Sequence, residues 1–74
     1  MRALLYAWHD TARPAVLAGL ADQAWRVREM AARVIAHRQL GEALTRVAEL
    51  RDDPVPRVRM AAARAVTILT AAQA

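Results

Sequence analysis

The chain has 74 residues and no cysteine, which allows one small domain at most and excludes disulfides and thiolate metal sites. All 11 basic residues are arginine, and the formal net charge of +4 permits an acidic partner without requiring one. No apolar run approaches the roughly 18 residues of a membrane span, and the apolar N-terminal stretch is too short for a secretory signal. We therefore expect a cytoplasmic protein with no membrane contact.

The spacing of apolar residues predicts five helices and no strand, because no segment alternates with period two. The predicted helices are residues 2–9, a segment capped by Asp10-Thr11 and running to about Ala21, and then about Trp25–His37, Glu42–Arg51 and Pro56–Thr70. The first helix is too short to hold alone, so its apolar stripe of Leu4, Leu5 and Trp8 needs a neighbour. The order is thus one leading helix followed by two helix–turn–helix units.

Each of the four later helices has one apolar face, and these faces should form a thin, alanine-rich core. The residues expected to point inward are Val16, Leu17 and Leu20, then Val27, Ala31, Val34 and Ile35, then Leu44, Val47 and Leu50, and finally Val58, Ala62, Ala65, Val66 and Leu69. We expect Gly41 to reverse the chain between the units, with Leu40 filling the core beneath it. Residues 71–74 should fray.

The two units repeat one another along the chain. The segment Asp22-Gln-Ala-Trp-Arg-Val-Arg-Glu-Met-Ala-Ala-Arg-Val-Ile35 returns in outline as Asp53-Pro-Val-Pro-Arg-Val-Arg-Met-Ala-Ala-Ala-Arg-Ala-Val66, always 31 positions later. A fixed period in this range is typical of repeat proteins, whose units each bury a face against the next unit. An arginine close after one turn can also reach the carboxylate of the next turn.

The shared core Asp-(Pro)-x-x-Arg-Val-Arg-x-x-Ala-Ala resembles the HEAT repeat over roughly residues 12–70. The resemblance implies an all-α fold, a short right-handed α-solenoid (α-α superhelix) of stacked antiparallel helix pairs, with the second helix of each pair on the concave face. It implies one domain over 1–74, divided into a leading helix (1–10), repeat 1 (11–40) and repeat 2 (41–74). It also implies a ladder between adjacent repeats made by Asp22, Arg28, Asp53 and Arg59. The first unit departs from the pattern at Gln23 and Trp25, where the second has Pro54 and Pro56.

Two and a half repeats are few for a solenoid, and neither end of this chain is polar. We therefore expect either a piece of a longer array or a subunit that buries its ends against another chain, including self-association.

The chain offers little for catalysis. It has no Cys or Ser, and its four Thr have no His at a plausible helical spacing. The His9-Asp10 pair gives too few ligands for a metal ion. The Asp52-Asp53 pair is better explained by a position at a helix N-terminus than by acid–base chemistry, and no Gly-rich loop is present to hold a phosphate. We expect no enzyme activity, no cofactor and no small-molecule substrate.

The candidate binding feature is a strip of basic residues along the second helices of the two units: Arg26, Arg33, His37, Arg57 and Arg64. Arginines here could clamp carboxylates or phosphates, or they could form a solvated helix border whose stems cover apolar surface. Trp25, at the edge of the strip, is expected to fill the core where the other unit has proline, with a stacking role as the alternative. Two functions follow: a non-catalytic protein-interaction module, or binding of the nucleic-acid backbone, as in HEAT-like DNA-repair proteins. A net charge of +4 is light for duplex DNA.

Overall fold

The structure, a computed structural model, describes residues 13–73, and this part of the chain is helical without any strand. Four α-helices follow one another: α1 (Arg13–Gly19), α2 (Trp25–Arg38), α3 (Leu44–Glu49) and α4 (Pro56–Gln73). Short 3-10 helices at Gly41–Ala43 and Leu50–Asp52 flank α3. The all-α prediction is confirmed for these residues, whereas the predicted helix over 2–9 lies outside them.

The helices pack as two pairs set side by side. Helix α1 packs on α2, α3 packs on α4, and the most extensive contact joins α2 to α4. The second helices of the two units are therefore direct neighbours, as the repeated pattern predicts.

The core is thin and depends on a few branched side chains. The largest fully buried side chains are Ile35, Val47, Val58 and Leu69. Alanines fill most of the remaining core positions, at 31, 32, 36, 43, 62 and 65. Small side chains let the helices approach closely, but they bury little apolar area, so each branched residue contributes a large share of the hydrophobic stabilisation. Leu40 is buried against this core, which confirms its predicted role.

Val27 contradicts the prediction that it points into the core, since it is 41% exposed. Its counterpart one repeat later, Val58, is fully buried. Val27 lies beside Gly19 of α1, whereas Val58 is on α4, which packs against both α2 and α3. A glycine has no side chain with which to cover Val27. A Cβ at position 19 would lie 3.2 Å from the Ala31 Cβ, so any larger residue there would require α1 and α2 to move apart by a few tenths of an ångström.

The chain reversal after α2 was predicted at Gly41, but the structure places it at Gln39. Gln39 adopts the left-handed conformation, with φ 53° and ψ 51°, and no described glycine has a positive φ. The Gln39 N–H donates to Ala36 O and the Leu40 N–H donates to Ile35 O, at 3.3 and 3.1 Å. These two hydrogen bonds form a Schellman motif, which satisfies carbonyls at the helix end and carries Leu40 back onto the core.

Two helix lengths also differ from prediction. Helix α3 is shorter than the predicted Glu42–Arg51, because both of its ends tighten into 3-10 turns. At the C-terminal side the chain must leave the helical region before Pro54, and Asp53 is accordingly extended, with ψ 144°. Helix α4, in contrast, runs beyond the predicted end at Thr70 to Gln73, since the intervening alanines are the strongest helix formers.

Candidate functional site

The turns between helices are joined by an ion pair between the two repeats. Arg28, at the start of α2, donates from Nε to Asp53 Oδ2 at 2.7 Å and from Nη2 to Asp53 Oδ1 at 3.1 Å. Both side chains are largely buried, with 14% and 4% exposed. Such a bidentate pair sets both the distance and the orientation between its partners. It thus fixes how repeat 1 lies against the turn of repeat 2.

Arg28 also organises the turn that precedes its own helix. Its Nη1 donates to Asp22 O at 2.8 Å and to Gln23 O at 2.9 Å. Asp22 in turn accepts the Ala24 N–H through Oδ1 at 2.8 Å. One guanidinium therefore holds its own turn through backbone carbonyls and the next turn through a carboxylate.

The electrostatics of Asp53 follow from this geometry. The hydrogen bond from Arg28 lowers the pKa of Asp53, and the Val55 N–H, which donates to Asp53 Oδ1 at 2.9 Å, lowers it further. Burial opposes both effects, and the charges of Arg28 and Arg59 support them. The same hydrogen bond raises the pKa of Arg28. The pair is therefore ionised under ordinary conditions.

Arg59 repeats part of this arrangement one unit later. Its Nη1 donates to Asp53 O at 2.8 Å and to Pro54 O at 3.2 Å, the same two carbonyl positions that Arg28 uses. No carboxylate within residues 13–72 pairs with the Arg59 guanidinium. The four residues that the resemblance assigns to a ladder are thus brought to one edge of the structure, with one complete carboxylate pair between them.

A groove of about 720 Å³ runs between α2 and α4 and opens to solvent. Its basic lining residues are Arg33, His37, Arg38 and Arg64, and its apolar lining residues are Met30, Val34, Ala36, Ala61 and Ile68. Met30 is 57% exposed and adds an apolar side chain to the open side of the groove. Three members of the predicted basic strip, Arg33, His37 and Arg64, therefore lie together beside an apolar surface.

The other two members of the strip lie apart from the groove, around Trp25. The guanidinium carbons of Arg26 and Arg57 are 5.3 and 6.0 Å from the centre of the Trp25 ring, within the range of cation–π contact. Trp25 is half-buried and does not belong to the core cluster, so its expected role as a core filler is wrong. The reason is that the start of α2 lies at the edge of the helix pair, where a ring meets arginine stems instead of apolar side chains.

Sequence reasoning missed Glu29. Its Oε2 lies 3.3 Å from Arg57 Nε, and its side chain is only 15% exposed against 68% for Arg57. Arg57, one member of the predicted basic strip, is therefore already paired with a carboxylate of the same chain. Comparison of the two units gives one indication of this ion pair. The position of Glu29 is occupied by Met60 in the second unit, and an acidic residue that is present in only one unit indicates a contact made only at that interface.

Two neighbouring helix pairs, joined by an arginine–carboxylate pair at their turns and repeating one motif, define an all-α protein built from helical repeats. The family model described as HEAT repeats matches residues 2–74. The chain belongs to the HEAT-repeat family, which confirms the resemblance drawn from the sequence. Comparison with curated proteins found no similar chain, and comparison with solved structures found no match.

Two further searches cover only part of the chain. None of the helices within residues 13–73 is both long and apolar enough to cross a membrane. In that same part of the chain, no three acidic or histidine side chains are grouped so that they could hold a metal ion.

Proposed function

We propose that this chain is a non-catalytic protein-interaction module of the cytoplasm, a piece or subunit of a larger right-handed solenoid. HEAT repeats commonly serve as protein-interaction modules. The observation that carries the proposal is the groove between α2 and α4, where exposed arginines border an apolar floor. Arginine and methionine are both enriched at protein interfaces, which supports this use of the groove.

The lining of the groove indicates the chemistry of the partner. Arg33 and Arg64 can each clamp a carboxylate through two parallel hydrogen bonds. Met30 and Ile68 offer an adaptable apolar surface beside them. An amphipathic helix that carries Glu and Leu on one face would meet both features, since helices commonly lay their apolar face into such a groove. We therefore propose an acidic amphipathic segment as the ligand.

Nucleic-acid backbone binding is the competing function. A phosphate backbone would use Arg33 and Arg64 but would leave the exposed Met30 without a partner. Glu29 lies nearby and offsets the charge of Arg57. These features favour a peptide, and the two functions give different results in one binding experiment.

The experiment measures fluorescence anisotropy of three labelled probes: an amphipathic Glu/Leu helix, a duplex DNA and a single-stranded DNA of matched charge. We expect the peptide to bind most tightly. The double variant Arg33→Ala/Arg64→Ala should weaken peptide binding about tenfold, the effect of losing two partly exposed charge pairs. The control Arg46→Ala/Arg51→Ala removes the same charge from exposed positions outside the groove and should leave the affinity within about twofold.

Two results would reject the proposal. If DNA binds more tightly than the peptide, with an affinity that falls steeply as salt rises, the nucleic-acid function replaces it. If the groove variant and the control lower peptide affinity equally, binding depends on net charge and the groove is not the site.

A further inference from the structure

The beginnings of α2 and α4 carry charged side chains around one indole ring. The guanidinium carbon of Arg26, on α2, lies 5.3 Å from the centre of the Trp25 ring, and that of Arg57, on α4, lies 6.0 Å from it. One ring thus contacts two cations from different helices, each at cation–π distance. This cluster lies where the two repeats meet and is separate from the groove that Arg33 and Arg64 line.

Arg57 is held from two sides and keeps hydrogen-bond donors for a further partner. Its Nε donates to Glu29 Oε2 at 3.3 Å, and its guanidinium also contacts the Trp25 ring. Its Nη1 and Nη2 donate no hydrogen bond within residues 13–72, and its side chain is 68% exposed. Arg26 forms no ion pair in that same part of the chain. The cluster therefore carries two cations against one carboxylate.

The two arginines of the cluster repeat the basic pair of the groove two helical turns earlier. Arg26 precedes Arg33 by seven positions on α2. Arg57 precedes Arg64 by seven positions on α4. Seven residues make about two helical turns and rise about 10.5 Å, so the two arginines of each helix share one face. Because the beginnings of both helices meet at the Trp25 ring, the two basic pairs form successive levels along α2 and α4.

The Trp25 ring prepares the two guanidinium groups for an anion. A long side chain that becomes immobile on binding loses rotamer entropy, which weakens the affinity. Contact with the ring restricts Arg26 and Arg57 before a ligand arrives, so less freedom is lost when it binds. Stacking of a nucleobase on this ring is disfavoured, because two guanidinium groups already contact it. The cluster thus fits an anionic group better than an aromatic one.

We propose that Trp25, Arg26 and Arg57 form a second carboxylate subsite for the acidic helical segment that binds along the groove. One carboxylate of the segment pairs with the arginines of the groove, and another, two turns away on the same face, pairs with the arginines beside Trp25. The segment is therefore recognised by acidic residues seven positions apart, since that spacing reproduces the rise of about 10.5 Å between the two basic pairs. Trp25 is a positioning residue, because it acts through the arginines. The inference rests on the proposed function and adds the charge spacing of the ligand.

Glu29 sets the charge that the subsite accepts. Its carboxylate pairs with Arg57 and is only 15% exposed, so it stays beside an incoming anion. Two guanidinium groups balance Glu29 and one further carboxylate, whereas a phosphate monoester carries about −1.5 to −2 and leaves excess negative charge. The subsite therefore favours a carboxylate over a phosphate. Glu29→Gln keeps an oxygen acceptor for Arg57 but removes the repulsion, so it should tighten binding of a second carboxylate about threefold.

The first test varies the ligand and leaves the protein unchanged. Fluorescence anisotropy compares labelled Leu-rich amphipathic helices of equal length that carry one Glu, a second Glu at i+4, a second Glu at i+7, or phosphoserine at i+7. The i+7 Glu peptide should bind about fivefold more tightly than the single-Glu peptide, and the i+4 peptide should stay within about twofold of it. The i+4 and i+7 Glu peptides have the same charge, so equal affinities would overturn the inference. Tighter binding of the phosphoserine peptide would overturn the carboxylate assignment.

The second test varies the protein. Arg26→Ala/Arg57→Ala should weaken the i+7 Glu peptide about fivefold and the single-Glu peptide less than about twofold. Trp25→Leu keeps every charge and should weaken the i+7 peptide about threefold. The control Arg46→Ala/Arg51→Ala removes the same net charge and should treat both peptides alike. Equal losses for the two peptides in Arg26→Ala/Arg57→Ala, or a Glu29→Gln chain that binds the i+7 peptide more weakly, would overturn the subsite.

Two comparisons separate this inference from the groove proposal. Arg33→Ala/Arg64→Ala should weaken every peptide; if it does and the i+7 peptide has no advantage, the groove function stands and the second subsite is rejected. If no peptide binds, both are rejected. A single-stranded DNA that binds more tightly than the i+7 peptide, and loses affinity in Trp25→Leu, would assign the cluster to nucleic acid. Far-ultraviolet circular dichroism checks that each variant remains helical, and the peptide series decides the question if one unfolds.

Discussion

Val27 and Val58 occupy the same position in the two repeats, yet one is 41% exposed and the other is fully buried. Replacing each by alanine therefore separates burial from every local effect. Both changes remove the same atoms, both improve helix propensity by the same amount, and both lie within the sequence Arg-Val-Arg. The difference between the two free energies of unfolding measures what the tertiary structure contributes at this position.

The expected magnitudes follow from the exposures. Val58→Ala removes two buried carbon groups, at about 0.8 kcal/mol each, and leaves a small cavity that adds roughly 0.5 kcal/mol. The gain in helix propensity offsets about 0.5 kcal/mol, so the net loss is about 1.5 kcal/mol. For the partly exposed Val27 the transfer cost falls to roughly 1 kcal/mol without a cavity, and the net loss is about 0.5 kcal/mol. The two variants should differ by about 1 kcal/mol.

The assay is urea unfolding followed by far-ultraviolet circular dichroism, at a concentration low enough to keep the chain monomeric. A difference of about 1 kcal/mol is readily measured in a domain of this size, whose total stability is roughly 4–11 kcal/mol. It corresponds to a difference in melting temperature of about 4–8 °C. Equal losses for the two variants, or a larger loss for Val27→Ala, would refute the assignment of Val58 to the core and of Val27 to an uncovered face.

Three further predictions concern the turns. Arg28→Ala should lower the urea midpoint of unfolding more than Arg59→Ala, because within the described residues only Arg28 forms an ion pair with a carboxylate, that of Asp53. Equal shifts would show that this ion pair does not contribute to stability. Because folding lowers the pKa of Asp53, its contribution is fully present above its unfolded pKa of about 3.8 and is lost as pH falls through the lower folded value. Urea midpoints should accordingly fall below about pH 4, and less steeply in Arg28→Ala, whereas parallel profiles would contradict this origin. Gln39→Gly should raise stability by roughly 0.5–1 kcal/mol, since glycine relieves the left-handed conformation, while Gln39→Ala should give no gain.

The repeat pattern predicted much of the candidate site. The positions of Arg28 and Asp53 beside two turns indicated that an arginine could reach the next carboxylate, and the structure has that contact in bidentate form. The placement of Arg33 and Arg64 on neighbouring helix faces also followed from the period, since equivalent positions of stacked units lie side by side. Both features could be predicted from the sequence because they depend on the repeat alone.

The contacts of the Trp25 ring could not be predicted from the repeat in the same way. Trp25 sits where the second unit has proline, and the sequence offered no means to distinguish a core position from an edge position. The contacts of its ring with Arg26 and Arg57 depend on the relative rotation of α2 and α4, as does the ion pair between Arg57 and Glu29. Side chains from two helices meet only after packing has set that rotation.

By itself, the sequence determined the four helices within residues 13–73, their order, the repeat that relates them and the family to which the chain belongs. These properties depend on residue spacing, capping residues and a period, all of which act over a few neighbouring positions or recur along the chain. The tertiary structure alone decided which of two equivalent residues is buried. Ala32 and Ala63, like Val58 and Val27, are alike in sequence and opposite in exposure. Burial depends on which helix lies next in space, and a repeated motif has different neighbours at each end of its array.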